Sequence, residues 1–362
     1  MLPNFRLLFP LGYICLLLTL EACKTEFVAP PPPDAAIVYP LLETTPVTST
    51  GDAADDPAIW VNPHNLAASL VIGTDKEFGI EVYNLQGERI QSIAAGRTNN
   101  VDLRMLPGGG RWTAIAAASN RTSNSISLFL IDQSGQLYWL EDSEIATGLN
   151  EPYGVCMFMN EMGPQVFVND TDGSYQQWGL NLVEQGPATS LPRYQARLLR
   201  EFSVSSQPEG CVADDLYQRL FLGIEAAGVR VLSARHDQQV EMQTLVNIDG
   251  TILYADVEGM SLYQDGVEGY LVVSSQGNNS YAVYDRLPPF SYRGSFVVAA
   301  TIDGQIDGAS ETDGLAVSQY AFDSRFPSGL LVVQDGYNTV PVAAQNFKYV
   351  SWQDVAAALN LP

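Results

Sequence analysis

A sixfold repeat of about fifty residues constrains the fold more than any other feature of the chain. Six segments begin alike: DDPAIWV from Asp55, NNVDLRM from Asn99, PYGVCMF from Pro152, PEGCVAD from Pro208, VEGMSLY from Val257 and TDGLAVS from Thr312. The second residue of each is Asp56, Asn100, Tyr153, Glu209, Glu258 and Asp313, at intervals of 44, 53, 56, 49 and 55 by subtraction of their positions. Four of the six have Gly next, and all run into an apolar strand.

Further strands follow in each repeat. SLVIGTD and GIEVYNL belong to the first, WTAIAAASN and SISLFLI to the second, and GLLVVQDG and FKYVSW to the sixth. Short β-branched and aromatic runs punctuated by Gly, Asn, Asp and Ser are strand-and-turn chemistry. No long stretch keeps a helical period, apart from a terminal turn at QDVAAAL. The pattern predicts an all-β chain, a six-bladed β-propeller with blades of about four antiparallel strands. Radial stacking buries both faces of every sheet, which no blade achieves alone. A ring also has a seam. The segment Tyr39–Val47 is expected to pair with the last blade and cover its edge.

The chain has 362 residues, with 41 acidic against 18 basic and a formal charge of −23. Such an excess repels nucleic acid and suits an exported protein or one that gathers cations. Residues 1–22 read as a signal peptide: one early positive charge, then the apolar run LLFPLGYICLLLTL. LEAC ending at Cys23 resembles a bacterial lipobox, although Glu21 departs from it. Cys23 is therefore expected to carry lipid on an outer-membrane or periplasmic lipoprotein, the alternative being cleavage near Ala22 and secretion. Residues 23–37, with four consecutive prolines, read as a stiff tether, and 38–362 as the propeller. One complete ring needs no partner, so a monomer is expected. No later span is apolar enough to enter a bilayer, so membrane contact would come only through the lipid.

Cys156 and Cys211 remain after processing, and at apolar strand positions they read as buried thiols in preference to a bridge. The two histidines, His64 and His236, have no metal-ligand spacing. That argues against zinc and against a Ser-His-Asp triad.

In a propeller the first strand of each blade lines the channel, so Asp56, Asn100, Tyr153, Glu209, Glu258 and Asp313 should ring one mouth. Loops after the second strands would add Asp75, Lys76, Asn120, Arg121, Asp170, Asp172, Glu225, Gln276 and Asp335, with Asp55, Asp102, Asp256 and Asp307 nearby. Two like charges ~5 Å apart repel by roughly 3 kcal/mol at an effective dielectric of 20. The crowd can stay partly protonated, or it can bind cations. Oxygen donors without soft ligands suit Ca²⁺. The alternative is a merely solvated acidic rim. Lys76 and Arg121 beside bound cations would make a place for a polyanion, the alternative for each being an ion pair within the rim.

These residues resemble a known family, the alkaline calcium-dependent β-propeller phytases. The resemblance rests on DAADDPAIW, NNVDLR, AAASNR, PEG followed by ADD, DVEG, SSQGNNSY, ETDG, QDG and QNFK, in that order from about Pro46 to Trp352. It implies Ca²⁺-dependent hydrolysis of phytate, inositol hexakisphosphate, at a multi-calcium site; with no His or Cys nucleophile at a recognisable motif, direct attack by water is expected. It implies active-site calcium ligands at Asp56, Tyr153, Glu209, Glu225, Asp256, Glu258 and Asp313, with Glu43 and Asp55 in the same shell. Of these, Tyr153, Glu209, Glu258 and Asp313 would be catalytic. Lys76 and Arg121 match phosphate-binding residues, while Asp307, Gln276, Asp335 and Asn338 match positions for structural calcium. The family often has Lys followed by an acid in the third-blade loop; here Thr171 and Asp172 stand there. Rival readings are a calcium-dependent propeller lactonase or other hydrolase, and a non-catalytic calcium-binding propeller.

Overall fold

The computed structural model describes residues 28–108, 110–184 and 190–362. Residues 1–22, which read as a signal peptide, and Cys23 lie outside the described residues. Among those described, the strands form six sheets of four or five, each wound outward from an inner strand. The inner strands are Ala54–Trp60, Thr98–Met105, Pro152–Asn160, Pro208–Asp214, Val257–Asp265 and Leu315–Ser318. The propeller has six blades, as the repeat predicts.

Second strands such as Leu70–Asp75 and Leu330–Asp335 are buried along their whole length. That is why they read as unbroken apolar runs and not as alternating ones. Between blades one and two, Trp60, Ile72 and Val82 meet Leu103, Ala116 and Phe129. Fully burying one such side chain stabilises by about 1.5–3 kcal/mol, so stacking between blades is the main source of stability.

The inner strands share a local irregularity. Pairing with the second strand breaks between Ala54 and Pro57, Thr98 and Val101, Pro152 and Val155, Pro208 and Cys211, and Val257 and Met260. Each gap holds one ring residue: Asp56, Asn100, Tyr153, Glu209 or Glu258. An unpaired bulge residue is re-aimed relative to the ladder, which is how a strand end can present a polar group to a channel mouth. In blade six the regular strand starts two residues after Asp313.

The ring glycines have a direct steric cause. A Cβ on Gly154 would lie 2.0 Å from the carbonyl oxygen of Glu209, and one on Gly210 would lie 2.2 Å from that of Glu258. One on Gly259 would lie 2.7 Å from that of Asp313, and Gly314 packs in the same way on Asp56. Blades three to six thus each touch the backbone of the next blade's ring residue, which fixes the spacing of Glu209, Glu258, Asp313 and Asp56.

The seam closes where expected. Leu42 and Glu43 pair with Tyr349 and Lys348 of the last blade, and Thr44 N–H donates to the Phe347 carbonyl at 2.9 Å. A second closure went unread in the sequence. Ala36–Val38 lies parallel to Phe296–Val298 as a fifth strand of blade five. The end of the Pro-rich segment is therefore docked on the propeller. The terminal turn is a helix, Trp352–Leu359, whose Trp352 stacks on Tyr263 of blade five at 4.3 Å.

Cys156 and Cys211 correct the thiol reading: they form a disulfide, with Cα atoms 5.7 Å apart. Apolar surroundings cannot separate the two cases in sequence. The deciding fact is that both residues sit on inner strands of neighbouring blades, face to face.

Candidate functional site

The ring residues converge at one mouth. Carboxylate oxygens of Glu209, Glu225 and Glu258 lie within 4.8 Å of one another. Glu258 is hydrogen-bonded to Glu209 and feels the charge of Asp313. Asn99 Nδ2 donates to Glu209 Oε1 and to Asn100 Oδ1, both at 3.0 Å. Asp56 Oδ2 accepts from Val101 N–H at 3.2 Å, which ties blade one to blade two. Gln276 Nε2 donates to Asp313 Oδ1 at 2.7 Å. Asp256 lines the neighbouring cleft with Gln276 and Asp313.

The electrostatics match the crowding. Burial, then the neighbouring carboxylates, pushes Asp55 and Glu258 well above the ordinary range, and burial raises Asp56. Burial brings Glu225 up to about 7, against a hydrogen bond from Gln207. Burial also lifts Asp313 to about 7, with Lys76 opposing and Glu209 adding to the rise. Tyr153 is raised by burial and by the surrounding acids, so it remains a phenol.

Lys76 and Arg121 stand at this mouth, and each is ion-paired with acids of the rim, the alternative the sequence leaves open. Lys76 is 7% exposed, and its ammonium lies 2.7 Å from Asp52, 3.0 Å from Asp313 and 3.3 Å from Asp55. Burial disfavours its charge, but the three carboxylates outweigh burial. Arg121 lies 3.4 Å from Glu151, its guanidinium sits 5.9 Å from the Tyr153 ring centre, and its Nε is buried with no hydrogen-bond partner. Arg97, which the sequence reading passed over, joins this face. Its carbonyl accepts from Arg121 N–H at 2.8 Å and its Nε lies 3.6 Å from Glu77.

The remaining candidates fall into a second cluster and into turns. Glu43, Asp307 and Asp335 converge on the fully buried Lys348, with Glu43 at 2.5 Å and Asp335 at 3.3 Å. Asn338 stands beside this group, its Nδ2 donating to the Ala344 carbonyl at 2.9 Å and its Oδ1 buried without a partner. Burial pushes Asp307 up, but Lys348 and Thr339 hold it below its ordinary range. Lys348 was legible only as part of QNFK. Glu43 thus sits with Lys348, and Gln276 sits with Asp313. Asp75 accepts from Ser49 and Glu77 N–H groups, Asp170 from Asn150, and Asp172 from Ser174, so these acids hold loops. Asp102 lies deeper in the channel, where Arg104 grips it at 2.9 Å and Asp215 at 2.8 Å.

A divalent, oxygen-preferring cation fits the mouth. The donors are carboxylate, amide and phenol oxygens, and both Asp55 Oδ1 and Glu258 Oε2 are buried with no partner. Those orphaned oxygens are what a hard cation would satisfy.

Comparison with known proteins supplies the family. A phytase family model matches residues 14–361. A 3-phytase of Bacillus subtilis (strain 168) is 38% identical over 330 residues, 88% of this chain and 84% of the relative. Two solved structures align at a TM-score of 0.44 and 15% identity. One is a functionally unknown protein from Desulfotomaculum acetoxidans DSM 771, over 66% of this chain and 70% of its own. The other is from a nidogen/laminin complex, over 67% and 80%.

Proposed function

The chain belongs to the phytase family and is a phosphoric monoester hydrolase by that membership; we propose that it hydrolyses phytate with calcium ions held among the mouth carboxylates. The observation that carries the calcium reading is the triangle of Glu209, Glu225 and Glu258 oxygens beside the orphaned oxygens of Asp55 and Glu258. Asp55, Asp56, Glu209, Glu225, Glu258 and Asp313 would hold the ions, with Asp256 and Tyr153 at the edge. Bound calcium neutralises the phosphate oxygens and lowers the pKa of a coordinated water.

The chain's own residues then have definite tasks. Lys76, fixed by three carboxylates, presents a permanent charge that a phosphate oxygen can share. Arg121, held against Glu151, is a second cation that a phosphate oxygen can share. Tyr153 keeps its proton and can donate it in a hydrogen bond. Cys156 and Cys211 are locked in their bridge, so neither of these sulfurs can attack phosphorus. Water is the nucleophile in this reading, and no phosphoenzyme forms. The chain's net charge of −23 would repel free phytate, so metal on the site or the substrate is a condition of binding.

The test is phosphate release from calcium-phytate by the purified protein, with and without a calcium chelator. Release is expected with calcium and abolished without it. Release unchanged after complete calcium removal would reject the proposal.

A further inference from the structure

A cleft of about 800 Å³ opens between blades five and six beside the catalytic mouth. Asp52, Asp256, Gln276 and Asp313 form its inner side, and Val28 stands on its wall. That valine belongs to the Pro-rich segment, whose sequence reads as a free tether.

The segment is docked along blade five. From the parallel strand Ala36–Val38 it turns, with Ala35 N–H donating to the Pro32 carbonyl at 2.9 Å. Pro32 and Ala29 are buried, and Ala29 N–H donates to the Gly277 carbonyl at 2.9 Å. Gly277 directly follows Gln276, whose side chain donates to Asp313 and whose N–H donates to the Asp256 carbonyl at 2.9 Å. The loop has no slack, since a Cβ on Gly277 would lie 1.8 Å from the Ala255 carbonyl oxygen. Ala29 is thus anchored one residue from Gln276, the group that holds a mouth acid.

We propose that residues 28–33 form a strap whose Val28 end walls the substrate cleft and stands beside the outer phosphates of a bound polyphosphorylated ring. The inference rests on the phytate reading. A reacting phosphate needs only the carboxylate triangle and its cations. The cleft beside it has room for the ring and its other phosphates. Among the described residues lining that cleft there is no Lys or Arg. Phosphates entering there meet acids and an uncharged strap, so a charge placed on the strap is felt directly.

Val28 is 43% exposed, so a longer side chain is accommodated without disturbing the core. The experiment measures KM and kcat for inositol hexakisphosphate at saturating calcium and low salt, with inhibition by inorganic phosphate as the small probe. Val28→Arg should lower KM and Val28→Glu should raise it, each by about threefold. The shift should appear in KM and not in kcat, and the inhibition constant of inorganic phosphate should stay put. Ala29→Pro removes the N–H that anchors the strap at Gly277, and in that background the Arg and Glu effects should collapse. Melting temperatures of all variants verify folding. Shifts in the same direction, or none, in a protein that hydrolyses the hexakisphosphate would overturn the strap's role. A wild-type protein that releases no phosphate would instead overturn the phytate reading, and this inference with it.

Discussion

A Cβ on Gly314 would lie 2.4 Å from the Cα of Asp56, so the last blade meets the first with nothing between their backbones. Gly314→Ala must push the blades apart at the very residues that present the acids. Overpacking of this kind costs about 1–3 kcal/mol, and here it should also weaken calcium binding. Gly110 has open space around its missing Cβ, and Gly110→Ala should leave both properties near wild type. Thermal melts with and without calcium measure the contrast.

Glu258 carries a buried oxygen with no partner and a hydrogen bond to Glu209. Glu258→Gln removes the charge and keeps the shape. The metal-free protein should become more stable, because one of several repelling carboxylates is gone. Phosphate release should fall at least a hundredfold, about 3 kcal/mol in barrier. A variant that loses activity and gains no stability would show that the carboxylates are not in conflict.

The acids also set a pH dependence. Glu225 and Asp313 are raised by burial from ordinary values of 4.5 and 3.8 to about 7. In metal-free protein the folded state holds protons that the unfolded chain releases. The linkage therefore favours the fold at low pH, and that contribution declines as pH rises from about 4 to about 7. Calcium must displace the same protons, so its affinity should climb over this range and level off above it. Calcium titrations monitored by melting temperature between about pH 5 and pH 8 test both signs.

Thr171 stands where the family often has a lysine, and its hydroxyl reaches only Asp170 Oδ1 at 3.3 Å. Thr171→Lys would add a charge-assisted contact to a peripheral phosphate and lower KM for phytate by about tenfold. Steady-state kinetics on the single variant decide it. A raised KM would mean that the substrate lies elsewhere.

The Cys156–Cys211 bridge joins the inner strands that carry Tyr153 and Glu209. It closes a loop across a sequence separation of 55. Chain entropy puts its worth at up to about 4 kcal/mol, with 2–4 typical. The double variant Cys156→Ser, Cys211→Ser should unfold at correspondingly lower denaturant, and wild type under reducing conditions should match it.

The ring was legible because a repeat places equivalent residues on one circle, and because each bulge and glycine leaves its mark in the sequence. The outer strands were harder. Arg89–Ile93 and Gln243–Asn247 lie half in solvent, with little apolar pattern. Among the acids, sequence cannot tell a ligand from a turn-holder: Asp170 and Asp313 differ only in which donors fold leads to them. Lys348 was hidden for a related reason. A lysine inside a strand gives no hint that Glu43, from the far end of the chain, will meet it. The strap was missed because a proline run suggests extension and says nothing about what it lies against.

Leu42 and Glu43 find their partners at Tyr349 and Lys348, some three hundred residues later. These two residues, made before the first blade, must therefore wait unpaired until the last blade has been made. Contacts of such long range make for slow assembly. Until that last handshake every blade stands in an open row, with the mouth acids not yet gathered. Metal binding and the final fold should then arrive together, as one late event.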